Sequence, residues 1–285
     1  MQRTQHAMPI MDREPALSGA SSRSSRNDLG HGTDDTDHDV QTAERLARST
    51  GLLYLLIAIF GMFAGTVTTN LVVAGDGVAT ADNILASLAL LRGGLVAWIA
   101  VLFADIAVAI TLLVLLKPVS PTLSLLAAAF RVVYVAIQGI NLLNLFNALL
   151  LLTNPNYAAG FGPGQVNALA LVSLEAFGTG FRIGLIFFGV HLIALGYLLF
   201  TSRYVPRVIS SLVVAAGIGY SADSLGRLSV PDYSAVATAV LLTPAVAGEL
   251  ALTVWFLAKG VQLRRPAQLQ HEGQGHAQAQ SVSAV

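Results

Sequence analysis

Four ionisable residues stand where their surroundings least favour charge: Asp105, Arg131, His191 and Glu249, each inside a long run of apolar residues. At the centre of a bilayer such a charge costs roughly 2.5–3.5 kcal/mol even on the lenient insertion scale. Groups of this kind persist where they pair, meet water or carry chemistry. Asp105 and Arg131 can form an ion pair. A free imidazole titrates near neutral pH and suits proton relay, which makes His191 a candidate. Glu249 offers a carboxylate as its hydrogen-bonding or acid–base partner. Arg131, Tyr134, Gln138 and Asn141 fall within about 80° of one another at the helical turn of about 100° per residue, so they form one polar stripe. Asn144 and Asn147 drift off it. Two readings of the stripe stand open: interhelical hydrogen-bond glue, worth about 0.6 kcal/mol a contact, or the lining of a solute or ion path.

The elements that carry these residues follow from composition. The chain of 285 residues is 54% hydrophobic and 11% charged, against about a quarter charged in an ordinary soluble domain. Fourteen charges lie in residues 1–50 and four in 259–285, leaving fourteen for the 208 residues between. That stretch reads as an all-α, polytopic membrane helix bundle. A bilayer core needs about 20 apolar residues per helix, and six segments supply them: 51–74, 94–116, 122–152, 181–200, 208–225 and 235–258. The piece 165–177 is either an interfacial helix or an extension of the fourth span. At a helical rise of about 1.5 Å per residue, Asp105, Arg131, His191 and Glu249 lie roughly 15–21 Å from the cations at the nearest span ends. Four helices thus present their ionisable groups at one depth. Asp105 and Arg131 occupy a tight hairpin at matching depth, and the expectation is an ion pair. The expected partner of His191 is a backbone carbonyl or Glu249. Pro244 should disturb the sixth helix one turn before Glu249.

Cations set the expected orientation. Arg45, Arg48, Lys117, Arg203, Arg207, Lys259, Arg264 and Arg265 fall on one side, and Arg92, Arg182 and Arg227 on the other. The positive-inside rule then places both termini in the cytoplasm, as six spans require. The expected layout is a disordered cytoplasmic tail over 1–44, a transmembrane domain over 45–260 and a second tail over 261–285. The short links near 117–121 and 202–207 make the second and third helices, and the fourth and fifth, antiparallel neighbours. Gly61/Gly65, Gly180/Gly184 and Ala215/Gly219 offer small faces for close helix approach.

Several chemistries have nothing to rest on. No Cys is present, which excludes disulfides, thiolate catalysis and cysteine metal sites. No basic stripe suggests nucleic-acid binding. The acidic run Asp34-Asp35-Thr36-Asp37-His38-Asp39 reads as a solvated tail, since an unstructured segment pre-organises no metal geometry. Bis-histidine haem would need a second intramembrane His. No phosphate loop, nucleophile elbow or zinc-protease motif occurs, and no cofactor is expected.

Some stretches are more specific. They include Arg45-Leu46-Ala47-Arg48-Ser49-Thr50-Gly51, Arg131-Val132-Val133-Tyr134 and Gln138-Gly139-Ile140-Asn141. The fullest is Phe187-Phe188-Gly189-Val190-His191-Leu192, which runs on to Ser202-Arg203-Tyr204-Val205-Pro206-Arg207 and Ala216-Gly217-Ile218-Gly219-Tyr220. With them the chain resembles the integral membrane family called domain of unknown function 4386, over about residues 45–258. Arg48-Ser49-Thr50-Gly51 and Arg207-Val208-Ile209-Ser210 depart from its usual pattern without touching the polar layer. The resemblance implies the topology and supplies no reaction or substrate.

Three functional readings follow for a multi-pass protein of a bacterial cytoplasmic membrane whose partner is the lipid bilayer. One is a small-solute or proton-linked transporter. The second is an intramembrane or lipid-modifying enzyme using His191 and Glu249. The third is an accessory subunit whose polar layer only orients helices. A wet layer favours the first two, and a dry, fully paired layer favours the third.

Overall fold

The structure, a computed structural model, describes residues 24–261. Two units divide at Gln41/Thr42, and the second holds the helix bundle. Eight helices and no strand occur among the described residues: α1 (Ser24–Leu71), α2 (Gly77–Ala86), α3 (Leu88–Leu116), α4 (Pro121–Thr153), α5 (Pro155–Gly160), α6 (Pro163–Ser202), α7 (Arg207–Ser229) and α8 (Ala235–Ala258). Six are long and apolar enough to cross a membrane, α1 through its part Gln41–Leu71. Side chains such as Phe103 and Ile140 are about 70% exposed, a surface suited to lipid rather than water.

The boundaries have local causes. Pro121 opens α4 and Ser120 Oγ accepts the Leu123 N–H, since proline at the first turn forfeits no helical bond. Arg203 closes α6 in the left-handed region (φ 58°) and α7 starts directly after Pro206. These two tight links define one end of the bundle, the hairpin face. At the other end Asp76 caps α2 by accepting the Ala79 N–H at 2.9 Å, so the link between the first two expected spans contains a helix and the first turn of α3. The segment 165–177 belongs to α6, which runs unbroken for 40 residues. Gly178-Thr179-Gly180 does not break it. A Cβ at Gly180 would collide with the Asn141 side chain, so that glycine serves close approach rather than a turn.

Of the expected tails, 1–23 and 262–285 lie outside the described residues. From Ser24 onward the chain is helical, so the expected tail over 1–44 overlaps α1. Near the end of that overlap Ala43 and Leu46 pack on the core and Ala47 is fully buried, which holds this turn in the helix.

The long helices close into a ring in the order α1, α3, α4, α6, α7, α8. Thr50 bonds Thr111 across α1 and α3, α4 packs on α3 and α6, and α7 on α6 and α8. Gly51 of α1 lies against Leu257 of α8 and completes the circuit. Both expected antiparallel hairpins, α3/α4 and α6/α7, are present.

Two apolar clusters fill the ring. The one toward the hairpin face draws buried residues from all six long helices, among them Tyr54, Val108, Tyr134, Leu195, Val213 and Leu252. The other, toward the opposite face, uses α1, α2, α3, α4 and α6, with no buried member from α7 or α8.

Candidate functional site

Arg131 lies at the centre of the ring, fully buried. An arginine side chain stays charged in proteins, so its helix can bury it only with partners in place. Nε and Nη2 donate to Oδ1 of Asp105 at 3.0 and 2.5 Å, which forms the ion pair expected from the hairpin. Nη1 donates to the Tyr54 hydroxyl at 2.9 Å and lies 3.0 Å from His191 Nε2. The guanidinium carbon sits 5.0 Å from the Tyr54 ring centre and 5.3 Å from that of Phe188. Cation–π attraction of this kind is strongest where water is excluded.

These contacts fix the state of His191. A guanidinium only donates, so Nε2 must accept and carries no proton. Nδ1 lies 2.8 Å from the Ala127 carbonyl oxygen and donates its proton there. The imidazole is therefore neutral with both nitrogens engaged. Of the two partners expected for it, the backbone carbonyl is the one found.

The stripe on α4 is also inside. Arg131, Tyr134, Gln138 and Asn141 are all buried. Tyr134 stacks on Phe188 with ring centres 4.9 Å apart. Gln138 Nε2 donates to the Phe181 carbonyl at 3.2 Å, and Asn141 Nδ2 to the Phe177 carbonyl at 2.9 Å. Asn144 donates to Asn141 Oδ1 at 3.0 Å. The amides thus tie α4 to α6, where Gly180 and Gly184 leave room for them.

Glu249 makes no hydrogen bond to this network, although the charges of Arg131 and Asp105 act on it. It is half-buried on α8, faces Tyr220 of α7, and its Oε1 is enclosed without a hydrogen-bond partner. Tyr54 is not among the expected members of the layer. Its signal is depth: nine residues beyond Arg45, it lies about 14 Å into its span and level with the other polar groups.

A second feature lies above the layer, toward the opposite face. A cavity of about 590 Å³ opens among α1, α3, α6, α7 and α8, where the upper apolar cluster lacks α7 and α8. Gly61, Gly65 and Thr68 of α1 line it, with Trp98, Phe177 and Phe181 forming an aromatic wall. Gly65 has nothing within 4 Å of the position its Cβ would occupy. The small face expected at Gly61/Gly65 for helix contact thus borders open space. The cavity also holds Arg182 and a closed network, in which Arg227 donates to Asp223 at 3.2 Å and to Thr238 at 2.6 Å, and Thr238 donates to Asp223 at 2.6 Å. Asp105 is seven residues beyond Trp98 on α3 and His191 six beyond Leu185 on α6, so about 10 Å of packed helix separates cavity and layer. Among the described residues no group of three or more metal-ligating side chains occurs.

Comparison with known proteins gives two matches. Residues 49–260 match the family described as Domain of unknown function (DUF4386). An uncharacterized protein of Archaeoglobus fulgidus is 30% identical over 163 residues, covering 57% of this chain and 81% of the relative. No solved structure matches.

Proposed function

The chain belongs to the family described as Domain of unknown function (DUF4386), and we propose that it is a transporter-class membrane protein that takes a small solute into the cavity from one face. The paired layer is the floor that closes the path beneath it. One observation carries this reading: above the buried, charge-paired layer, which by itself fits the accessory role, the ring holds a cavity of about 590 Å³. Cavities of this size bury most of a drug-sized ligand, and a site sealed on one side by a midplane floor suits alternating access. The cation distribution supports cytoplasmic termini, with the cavity opening outward from a bacterial cytoplasmic membrane.

A proton link rests on Glu249 rather than His191. Both imidazole nitrogens are committed to protein partners, whereas a carboxylate oxygen of Glu249 is enclosed and unpartnered. The enzyme reading has less support, because His191 offers no free nitrogen to a substrate and makes no hydrogen bond to Glu249. The accessory reading applies if the cavity admits nothing.

The absence of native Cys makes the test clean. In Thr68→Cys, a membrane-impermeant maleimide added to sealed vesicles should label the cavity from one face only. Gln138→Cys, within the layer, should stay unlabelled. An unreactive Thr68→Cys in folded protein would overturn the solute reading and leave the accessory one.

A further inference from the structure

The cavity has a chemistry of its own, and the inference drawn from it rests on the solute reading above. Its walls are mostly apolar, yet Arg182 and Arg227 line it together with one acid, Asp223. Asp223 is already engaged by Arg227. Arg182 is half-buried and makes no ion pair or hydrogen bond among the described residues. One positive charge is therefore uncompensated at a partly desolvated site, where an anion binds more strongly than in water. The aromatic wall adds an unmet donor: Trp98 is 9% exposed, and its Nε1–H is enclosed with no acceptor. Donors left this way are uncommon and call for an acceptor.

Depth identifies the kind of anion. Arg182 precedes Arg203 by twenty-one residues and Arg227 follows Arg207 by twenty, so both lie about 30 Å from the hairpin face, one bilayer core away. An anionic head belongs at that interface. The cavity meanwhile follows α1 from Gly61 to the helix end at Leu71, about 15 Å of helix, and continues past it to Val72 and Ala74, along a mostly apolar lining that suits a hydrocarbon chain. A single net charge matches a monoanion.

We propose that the cavity binds a long-chain carboxylate of the fatty-acid kind, its head group on Arg182 and its chain running past Trp98 and Phe181 toward Gly61. The carboxylate supplies the counter-charge that Arg182 lacks and an acceptor in reach of the aromatic wall. Arg227 remains with Asp223 and Thr238 and shapes the rim.

Tryptophan quenching reads this directly, because the chain has two Trp residues and Trp255→Phe leaves Trp98 as the reporter. With the full chain in detergent, a brominated stearate should quench Trp98 saturably, and unlabelled palmitate should compete. Hexadecanol, with the same chain and no charge, should compete at least tenfold more weakly. Arg182→Gln should weaken stearate binding about tenfold, the loss of one charge-assisted contact, and Arg182→Lys should restore most of it. Arg182 has no partner to abandon, so these variants should fold, and an unchanged melting temperature checks that they do. Equal binding of acid and alcohol, or no effect of Arg182→Gln, overturns the carboxylate while the solute reading survives. Preference for phosphatidylglycerol over palmitate also overturns it, in favour of a phosphodiester. Absence of saturable quenching by any probe, together with an unreactive Thr68→Cys, overturns both readings.

Discussion

The two halves of the ring solve the same packing problem differently. Toward the hairpin face all six long helices contribute to one apolar cluster, and the polar groups Tyr54, Asp105, Arg131 and His191 bond to one another. Toward the opposite face the apolar cluster omits α7 and α8, and a cavity with an unpaired arginine occupies their share. In a membrane the hydrophobic effect does not press helices together, so close contact depends on small residues and hydrogen bonds. Where Gly189 meets Gly217, backbones touch: a Cβ on Gly189 would stand 2.5 Å from the Gly217 carbonyl oxygen. At Gly65 the same residue type borders empty space. The difference shows that a glycine in a small-residue motif marks either contact or room, and the neighbouring helix decides which.

Breaking the ion pair should have the largest effect. Arg131→Gln or Asp105→Asn alone leaves a buried charge unpaired and should cost about 3–5 kcal/mol, read as a lowered melting temperature in detergent. The double variant should be milder than the sum of the two. Strict additivity would mean that the pair does not act as a unit.

Overpacking sharpens the contrast between the halves. Gly189→Ala should destabilise by about 1–3 kcal/mol, because its Cβ meets backbone that cannot yield. Gly65→Ala should stay within about 0.5 kcal/mol of the parent. Equal melting temperatures for the two variants would remove the distinction between a packed half and an open one.

The amide ladder should respond more weakly than the ion pair. Asn141→Leu should cost about 1–2 kcal/mol, at about 0.6 kcal/mol for each of its hydrogen bonds with Gln138, Phe177 and Asn144. A much larger loss, measured by the same unfolding assay, would promote the stripe from glue to an essential part of the lower half.

Much of this was legible in the chain alone. Apolar run length yields six spans because a helix must satisfy its own backbone in lipid and must be long enough to cross it. Short, proline-marked links place α3 beside α4 and α6 beside α7. Equal depth from the flanking cations brings Asp105 opposite Arg131, and a 100° turn puts Arg131, Tyr134, Gln138 and Asn141 on one stripe. These are properties of single helices and single hairpins, and spacing along the chain determines them.

Tertiary structure decided whatever depends on more than two helices at once. Tyr54 joins the layer only because the ring brings α1 back against α3. His191 binds the Ala127 carbonyl rather than Glu249 because it faces the adjacent helix α4, while Glu249 faces α7. Gly178-Thr179-Gly180 continues a helix because Asn141 fills the space beside it. The cavity and the unpaired charge of Arg182 are likewise invisible in one dimension. Depth fixes the height of a group in the membrane, but its azimuth relative to a third helix is set by packing, and at the opposite face that packing stops short.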